Sequence, residues 1–262
     1  MLTEAELELR YLVALGLAQE AGALAMTYAN NRATMATRMK GPQDFLTEAD
    51  GAVEAMLRTR LARIFPNDGF VGEEGGGEGA DNLWIVDPID GTANFARGEI
   101  HWCISIGFVH HLKPVVGVIH APPLAETFAA RKGAGATLNG RPIKVSGNTD
   151  MAAGSVEIGW SARRPFDQFV GMISKVGSTG ASVKRSASGA LGLAWVAAGR
   201  TDAYLELHIN SWDVAAGIVI VEEAGGVVND FFAGDGLRQG NRILASTPAF
   251  ADPLRKMMDQ TA

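Results

Sequence analysis

The sequence predicts a mixed α/β protein, with a largely antiparallel sheet in its first half and an α/β arrangement with some parallel strand pairing in its second half. Three patterns support this fold class. Helical patterns dominate roughly the first 65 residues, and short β-rich segments separated by loops follow as far as about residue 131. From about residue 150, short apolar strands alternate with longer helical segments, which is typical of α/β units.

The sequence of the N-terminal region predicts two helices. Leucines mixed with alanines and glutamates over the first thirty residues indicate an amphipathic helix with one buried side. A second helix should follow the segment 44–50, with Thr47 or Asp50 as its N-cap and apolar residues recurring on one face. It should end before Pro66, because proline disfavours helical backbone in the residue that precedes it.

The remaining elements follow from short apolar runs bounded by turn residues. Strands are predicted, in chain order, at residues 83–86, 103–109, 115–119, 126–130, 155–158, 182–184, 203–206 and 227–229. Helices are predicted at residues 165–176, 189–198 and 211–224. The polar, turn-rich stretch 146–148 separates the two patterns, so we expect an α+β subdomain over 1–146 and an α/β subdomain over 147–262.

The composition narrows the class of protein. With 47% hydrophobic residues among 262 and a single cysteine, the chain is neither a disordered protein nor a disulfide scaffold. A pI near 5.4 argues against a protein whose main partner is nucleic acid. The acidic N-terminus lacks a signal-peptide pattern, and the longest apolar candidate span, 104–124, is interrupted by histidines, a lysine and prolines. We therefore expect a soluble, cytoplasmic protein with no membrane and no direct nucleic-acid partner.

The most informative segment follows the apolar run 83–86. That run delivers Asp87 to a predicted tight turn, with Pro88 fixing the backbone and Gly91 permitting close backbone approach. Asp87 and Asp90, three residues apart, can direct their carboxylates at one point across such a turn. A single pair of this kind is more often a turn whose aspartates cap the following segment.

Further acids in comparable positions favour a metal site. Glu73 and Glu74 follow another strand-like segment, Asp44 and Asp50 flank the start of the second helix, and Asp213 begins a very apolar helix. Each of these acids, taken alone, is equally well interpreted as a helix cap or a solvated acid. Together they form a set of hard oxygen donors, which Mg²⁺ prefers, whereas no cysteine or histidine spacing suggests zinc.

These segments together resemble the inositol monophosphatase family of Mg²⁺-dependent, lithium-sensitive phosphatases. The resemblance runs from about residue 5 to residue 250 and rests on four motifs in the family's order: DFLTEAD (44–50), GEE (72–74), DPIDGT (87–92) and WDVAAG (212–217). It implies a layered αβαβα sandwich, with the active-site cleft where the antiparallel sheet of the first half meets the α/β part of the second.

The resemblance also implies the metal ligands. A first Mg²⁺ would be held by Glu73, Asp87 and the carbonyl of Ile89. A second would be held by Asp87, Asp90 and Asp213, with Asp87 bridging the two ions. Relatives hold a third, weaker Mg²⁺ near Glu73. We therefore expect two Mg²⁺ ions per subunit as the cofactor, and the sequence leaves open whether a third binds.

The catalytic groups come from the same resemblance. The Thr92 hydroxyl, oriented by Asp44, would take the proton from the water that attacks phosphorus. The backbone amides of Gly91 and Thr92, beside Ala93, would receive the phosphate oxygens at a helix N-terminus.

The alcohol half of the substrate would contact a second group of residues. Gly189 and Ala190 would bind it through their backbone, and Glu206 and Asp213 through their carboxylates. Two of these assignments have simpler alternatives. Glu206 could be a solvent-exposed glutamate on an edge strand, and residues 188–190 could be an ordinary capped helix start.

The function implied is hydrolysis of inositol monophosphate, or a similar small polyol phosphate, to the alcohol and orthophosphate by a metal-activated water. Three other substrates keep the same chemistry, because leaving-group pockets vary within a fold: L-histidinol phosphate, fructose 1,6-bisphosphate and 3′-phosphoadenosine 5′-phosphate. Some bacterial relatives also bind transcription or ribosomal machinery, so an added regulatory role stays open. The expected partners are a small phosphorylated metabolite and a second copy of the chain in a homodimer.

Overall fold

The computed structural model describes residues 2–41, 44–77 and 80–261. Within these ranges the chain forms eight α-helices. They are α1 (Glu4–Asn30), α2 (Glu48–Ile64), α3 (Thr92–Arg97), α4 (Phe166–Gly177), α5 (Gly189–Ala197), α6 (Ser211–Glu223), α7 (Gly236–Gln239) and α8 (Pro248–Asp259).

The strands form three sheets. The first strands are β1 (Thr37–Gly41), β2 (Asp44–Thr47), β3 (Gly69–Gly72), β4 (Asn82–Asp90), β5 (Cys103–His110), β6 (Lys113–Ala121) and β7 (Glu126–Arg131). The others are β8 (Ala136–Leu138), β9 (Arg141–Ile143), β10 (Ser155–Ile158), β11 (Ser182–Lys184), β12 (Ala203–Ile209), β13 (Val227–Val228) and β14 (Asn241–Ser246). One sheet has the order β3-β4-β5-β6-β7-β8-β9, another β11-β10-β12-β14-β13, and β1 pairs with β2.

The predicted difference between the two halves is confirmed. In the seven-stranded sheet only β3 and β4 pair in parallel, and every other neighbouring pair is antiparallel. In the five-stranded sheet β10 runs parallel to both β11 and β12, while β14 runs antiparallel to β12 and β13. The division into subdomains at residue 146 stays a prediction.

Helices and sheets alternate in five layers. Helices α1 and α2 pack on one face of the seven-stranded sheet, and α5 and α6 pack on its other face. The same two helices contact the five-stranded sheet, whose far face is covered by α4 and α8. Three apolar clusters fill the spaces between these layers, as expected for a layered αβαβα sandwich.

Helix α1 corrects one interpretation of the sequence. Within the described ranges it is the helix long and apolar enough to cross a membrane by length and composition. However, Ala14, Ala18 and Ala21 are fully buried, and the helix packs on β5, β6 and α2, so its apolar side belongs to the protein core. Residues 104–124, taken from the sequence as the longest apolar candidate, instead form most of β5 and β6.

The predicted start of α2 is confirmed. Thr47 is the N-cap and Asp50 is the third residue of the first turn, and together they form a capping box. The Asp50 carboxylate accepts hydrogen bonds from the Thr47 backbone N–H at 2.8 Å and from its hydroxyl at 2.6 Å. This arrangement fixes the Asp50 side chain at the point where β2 turns into α2.

Candidate active site

Strand β4 carries the first two acids of the site. The strand continues through Asp90, and its register with β5 shifts between Asp87 and Asp90, which marks a β-bulge. The sequence prediction of a tight turn after Asp87 is therefore wrong, because the chain keeps pairing with β5. Bulges commonly redirect side chains next to functional sites. Here Asp87 and Asp90 are brought together from within one strand.

The third acid comes from α6, on the opposite side of the seven-stranded sheet from α1. Asp213 lies in the first turn of α6, where it accepts a hydrogen bond from the Asn210 backbone at 3.0 Å. The helix approaches the sheet closely because β5 and β6 carry glycines beneath it. A Cβ at Gly107 would lie 2.8 Å from the Cβ of Ala215, and one at Gly117 would overlap the carbonyl oxygen of Ala216.

The three carboxylates form one cluster. Oxygen atoms of Asp87, Asp90 and Asp213 all lie within 4.8 Å of one another. Asp87 and Asp90 are buried, and Asp213 is partly buried. Asp213, predicted to cross from the second half of the chain to the other two acids, therefore lies beside them.

Burial and mutual repulsion make this cluster unfavourable on its own. Burial raises the pKa of Asp87 well above its ordinary value, and the charges of Glu73, Asp90 and Asp213 raise it further. Burial also raises the pKa of Asp213 to about 7, with the charge of Asp90 as the next cause. A divalent cation would remove this repulsion, and an all-oxygen donor set suits a hard ion. The residues present therefore fit a metal site.

Asp90 has a second set of partners at the start of α5. Its carboxylate accepts hydrogen bonds from the Ser188 hydroxyl at 2.6 Å, from the Gly189 N–H at 3.2 Å and from the Ala190 N–H at 2.8 Å. These donors oppose the increase in the pKa of Asp90 that burial causes. The amides of Gly189 and Ala190, expected to bind the alcohol, thus hold a carboxylate of the site in this structure. Their contact with substrate stays a prediction.

Glu73 lies outside the three-carboxylate cluster but lines the same cavity. Its loop is held by Glu54, which accepts hydrogen bonds from the N–H groups of Glu74 and Gly75, both at 2.8 Å. The glycines of this loop make that contact possible, because a Cβ at Gly75 would lie 2.6 Å from a Glu54 oxygen. The position of residues 74 and 75, directly after Glu73, therefore follows from the buried Glu54 carboxylate.

In the described part of the structure, the acid that contacts Thr92 is Asp50. Its hydroxyl donates hydrogen bonds to the Ile89 carbonyl at 2.9 Å and to Asp50 Oδ1 at 3.2 Å. Asp44 begins β2, but its side chain lies outside the described part of the structure, so its predicted role stays a prediction. Burial raises the pKa of Asp50 to about 6, although its hydrogen bonds from Thr47 oppose the increase.

Glu206 is neither exposed nor on an edge strand. It lies on β12, the middle strand of the five-stranded sheet, and is 7% exposed. Its carboxylate accepts a hydrogen bond from the Tyr204 hydroxyl at 2.7 Å, and burial raises its pKa to about 8. Gly159 leaves room for this pair, since a side chain there would overlap both groups. The alternative of a solvent-exposed edge glutamate is therefore wrong.

These groups surround one cavity of about 710 Å³. Its lining includes the acids Glu73, Asp90 and Asp213, together with Gly91, Thr92 and Ala93 around the start of α3. The same cavity is lined by Glu157, Trp160, Phe169, Arg185, Tyr204 and Glu206. Tyr204 lies close to the cluster, because a Cβ at Gly189 would be 3.2 Å from its hydroxyl and 3.7 Å from the Cβ of Asp213. The cavity thus combines acids able to hold cations with further polar and aromatic groups.

Sequence reasoning missed Asp50 as the partner of Thr92 and missed Glu157 altogether. For Asp50 a signal was present, because its place in a capping box after Thr47 fixes its carboxylate, but that spacing gave no reason to link it to Thr92. Glu157 follows one valine in a short apolar strand, and nothing in that pattern indicates a buried, cavity-lining acid.

Fold and site together define the class: an αβαβα sandwich with a carboxylate-lined cavity suited to hard metal ions. The chain matches the model of the inositol monophosphatase family over residues 6–260. It is 37% identical over 228 residues to the protein named Nus factor SuhB of Xylella fastidiosa, covering 86% of this chain and 83% of that protein. It is 36% identical over 221 residues to the fructose-1,6-bisphosphatase/inositol-1-monophosphatase of Thermotoga maritima, covering 84% of each.

A solved structure agrees with the sequence relatives. The fold superposes on the extragenic suppressor protein suhB from Bartonella henselae with a TM-score of 0.87, at 32% identity, covering 95% of this chain and 97% of that chain. The chain therefore belongs to the inositol monophosphatase family. Members of this family are metal-dependent phosphatases of small phosphorylated substrates, and the resemblance noted in the sequence is confirmed.

Proposed function

We propose that the protein is a Mg²⁺-dependent phosphomonoesterase that hydrolyses inositol monophosphate, or a similar small polyol phosphate, to the alcohol and orthophosphate. The observation that supports this most directly is the cluster of Asp87, Asp90 and Asp213, of which Asp90 and Asp213 line a cavity large enough for a small ester. Buried carboxylates without a counter-charge would repel a phosphate dianion, so substrate binding beside this cluster needs cations.

The residues that would hold the ions are Glu73, Asp87, Asp90 and Asp213, with the carbonyl of Ile89. When bound, the ions would supply Lewis-acid charge that polarises the ester and makes the attacking water more acidic. The choice of Mg²⁺ is supported by the oxygen-only donor set, because carboxylate and carbonyl oxygens suit Mg²⁺, whereas structural zinc sites are built mainly from cysteine and histidine. Competition between lithium and Mg²⁺ belongs to the same proposal.

Thr92 and Asp50 offer a path for the proton of the attacking water. As the water oxygen bonds to phosphorus, its proton would pass to the Thr92 hydroxyl while the Thr92 proton moves to Asp50 Oδ1, its partner at 3.2 Å. The ester bond to the alcohol then breaks, and the alcohol takes up a proton as Asp50 is reset through solvent. With a pKa of about 6, Asp50 is mostly ionised at neutral pH and can accept that proton.

Phosphate release from purified protein tests this proposal. With about 5 mM Mg²⁺ the wild type should release phosphate from inositol 1-phosphate, and EDTA should abolish the release. Asp90→Asn should reduce kcat/KM by a factor on the order of 10³ or more while the circular dichroism spectrum is kept. Asp235→Asn, which changes an exposed aspartate outside the cavity, is the control and should match the wild type. Robust turnover by Asp90→Asn would contradict the metal-site assignment.

The identity of the alcohol is decided by comparing substrates. We expect the highest kcat/KM for inositol 1-phosphate among four esters, the other three being L-histidinol phosphate, fructose 1,6-bisphosphate and 3′-phosphoadenosine 5′-phosphate. A preference of about a hundredfold for any of these three would replace the polyol assignment while leaving the chemistry unchanged. The homodimer and the cytoplasmic location are further parts of the proposal, which sedimentation and cell fractionation test.

A second candidate function comes from the names of relatives. The Xylella fastidiosa protein, and one from Pseudomonas aeruginosa that is 36% identical over 249 residues, are named Nus factors. Such a role would bring the protein into a complex containing nucleic acid, in tension with the expectation of no such partner. Tagged Asp90→Asn protein should then co-purify stoichiometrically with transcription complexes of its host, and recovery only at background level would remove this candidate.

A further inference from the structure

One part of the cavity wall is built on one face of the five-stranded sheet. Strand β10 runs parallel to β12, with Glu157 opposite Tyr204, and Glu206 lies two residues further along β12. The three polar side chains therefore lie on one face. The other face of these strands is apolar, since Val156, Ile158 and Leu205 pack beneath α4 and α8.

Glu157 is unusual among these groups. It is 1% exposed, yet it lines the cavity. Its Oε1 accepts hydrogen bonds from the Ser186 N–H at 2.9 Å and from the Ser186 hydroxyl. Its Oε2 is buried and has no hydrogen-bond partner among the described residues. Leaving a buried carboxylate oxygen unpaired is costly, so such an oxygen calls for a donor from elsewhere.

The neighbouring polar group offers the complementary chemistry. Trp160, three residues further along the chain, also lines the cavity, and its indole Nε1 is buried without an acceptor in the described part of the chain. By contrast, Glu206 already accepts a hydrogen bond from Tyr204. Two residues of the cavity wall thus carry one unsatisfied acceptor and one unsatisfied donor, both buried, so a ligand would reach them after a small rotation of these side chains. A hydroxyl group can satisfy either, whereas an alkyl or aryl leaving group satisfies neither.

We propose that Glu157 is a specificity-determining residue whose Oε2 accepts a hydrogen bond from a hydroxyl of the leaving alcohol, and that Trp160 donates to that alcohol. The substrate class is then a polyol phosphate, rather than the phosphate of an alcohol without further hydroxyls. This inference rests on the proposed phosphatase function and extends it to the alcohol side of the site.

The aromatic groups next to Glu157 fit the same class. The rings of Trp160 and Phe169 lie 6.3 Å apart, and those of Trp160 and Phe166 lie 5.6 Å apart in an edge-on arrangement. Phe166 is 60% exposed, so this aromatic wall remains open on one side. Aromatic rings of this kind offer a flat apolar surface to the C–H face of a cyclic polyol while Glu157 and Trp160 contact its hydroxyls.

The test measures a ratio of kcat/KM values, for inositol 1-phosphate over cyclohexyl phosphate, two esters that differ in the hydroxyls of the ring. Glu157→Gln keeps the shape and one carbonyl oxygen, which can still accept from Ser186, but places an NH₂ donor where Oε2 accepts. The ratio should fall by about tenfold to a hundredfold, because a substrate hydroxyl would meet a donor in place of an acceptor.

The matched control is Asp202→Asn. Asp202 is another buried acid, directly before β12, but both of its carboxylate oxygens have partners, namely the Ser146 hydroxyl and the Ser155 N–H at 2.7 Å, and it does not line the cavity. This variant should lower the melting temperature and leave the ratio of the two esters within about threefold of the wild type.

A second variant covers the case in which Glu157→Gln does not fold. Trp160→Phe keeps an aromatic ring and removes only the Nε1 donor, so it should also lower the ratio, by about threefold to tenfold. An unchanged ratio in the folded variants would overturn this inference and would indicate that a buried water satisfies Glu157. If the wild type hydrolyses neither ester with Mg²⁺ present, the proposed function fails and this inference fails with it.

Discussion

At the scale of single residues, the site shows how one carboxylate can serve both structure and chemistry. Asp50 Oδ2 closes the capping box of α2 with Thr47, while Asp50 Oδ1 contacts the Thr92 hydroxyl. The two roles use different oxygens, so the capping interaction orients the oxygen that faces Thr92. A substitution can therefore separate them, provided that it keeps an oxygen for the cap.

Asp50→Asn makes this separation. Its amide oxygen can keep the hydrogen bonds from Thr47, so the melting temperature should fall only slightly, whereas kcat should fall by about a hundredfold or more because the proton acceptor for Thr92 is lost. In the wild type, kcat should decline as the pH falls through about 6, where Asp50 becomes protonated. Glu48→Gln, which changes an exposed acid in the same helical turn, is the control and should change neither kcat nor its dependence on pH. An unchanged kcat in Asp50→Asn would contradict the proton path.

The raised pKa of Glu206 leads to a prediction about the pH dependence of stability rather than of activity. Its pKa is about 8 in the folded protein and near its ordinary value of 4.5 in the unfolded chain, so the folded state binds the proton more tightly. The contribution of Glu206 to the free energy of unfolding should therefore be fully present below about pH 4.5 and should decrease as the pH rises towards about 8.

Denaturant unfolding of metal-free protein at several pH values measures this effect. Between pH 5 and pH 8, Glu206→Gln should remove a part of the decrease worth about 1 kcal/mol or more. Identical pH dependences of wild type and variant would show that burial does not hold the Glu206 carboxyl neutral.

At the scale of elements, the position of Asp213 depends on how closely α6 approaches the seven-stranded sheet. Gly107 on β5 and Gly117 on β6 face α6, and neither position leaves room for a side chain. The contact brings the helix backbone down to the strands, so the first turn of α6 reaches Asp87 and Asp90. Small residues at this contact are thus part of the metal-site geometry, although they lie away from the cavity.

Gly117→Ala should move α6 away from the sheet and reduce both stability and metal affinity. We expect a loss of about 1–3 kcal/mol in the free energy of unfolding and a weaker Mg²⁺ dependence of activity. Gly16→Ala is the control, because a Cβ at this exposed position of α1 meets no atom within 4 Å and should stabilise the helix by about 0.5–1 kcal/mol. Calorimetry and a Mg²⁺ titration of activity measure both effects, and wild-type Mg²⁺ dependence in Gly117→Ala would contradict the proposed coupling.

Elements with a strong local pattern could be predicted from the sequence, and those without one could not. Helices α1, α4, α5 and α6, and strands β5–β7, have apolar patterns and turn residues that mark their position. The sequence predicts a turn where β4 has its bulge, because Pro88 and Gly91 signal a turn locally while the pairing with β5 that continues the strand is a long-range effect. Strand β14 and helix α8 were missed for a similar reason, since β14 is fixed by its pairing with β12 and β13.

The residues of the site, like the elements, include some that the sequence predicts and some that it does not. The motifs identified the acids that the structure clusters, since Asp87, Asp90 and Asp213 lie in two short segments with strong resemblance to a family. Two supporting groups were not predictable, because they act through contacts between distant segments: Ser188 holds Asp90, and Glu54 holds the loop next to Glu73. Glu206 was left with two alternatives, and only the order of strands in the sheet, with β12 in the middle, distinguishes them.

At the scale of the whole molecule, stability and metal binding are linked. The three carboxylates of the cluster repel one another in the metal-free protein, so a bound cation stabilises the folded state both by binding and by removing repulsion. Binding at about 100 times the dissociation constant contributes about 2.7 kcal/mol. A protein of this size should then gain about 5–10 °C in melting temperature.

Asp213→Asn separates the two contributions. Without metal it should melt at a higher temperature than the wild type, since one of three neighbouring charges is gone, and with Mg²⁺ it should show little further increase. Thermal unfolding with Mg²⁺ and with EDTA measures this difference. Equal Mg²⁺-induced increases in the two proteins would mean that Asp213 does not contribute to the ion site.

The segment that leads into α5 has a consequence for the size of the alcohol. Ser186 contacts Glu157, and Ser188, two residues later, contacts Asp90. Ala187 lies between them with φ at +62°, a backbone conformation that few alanines adopt. One short piece of backbone therefore fixes the separation between Glu157 and Asp90. Under the proposed function, inserting a residue there would change the distance between phosphate and ring hydroxyl that a substrate must match.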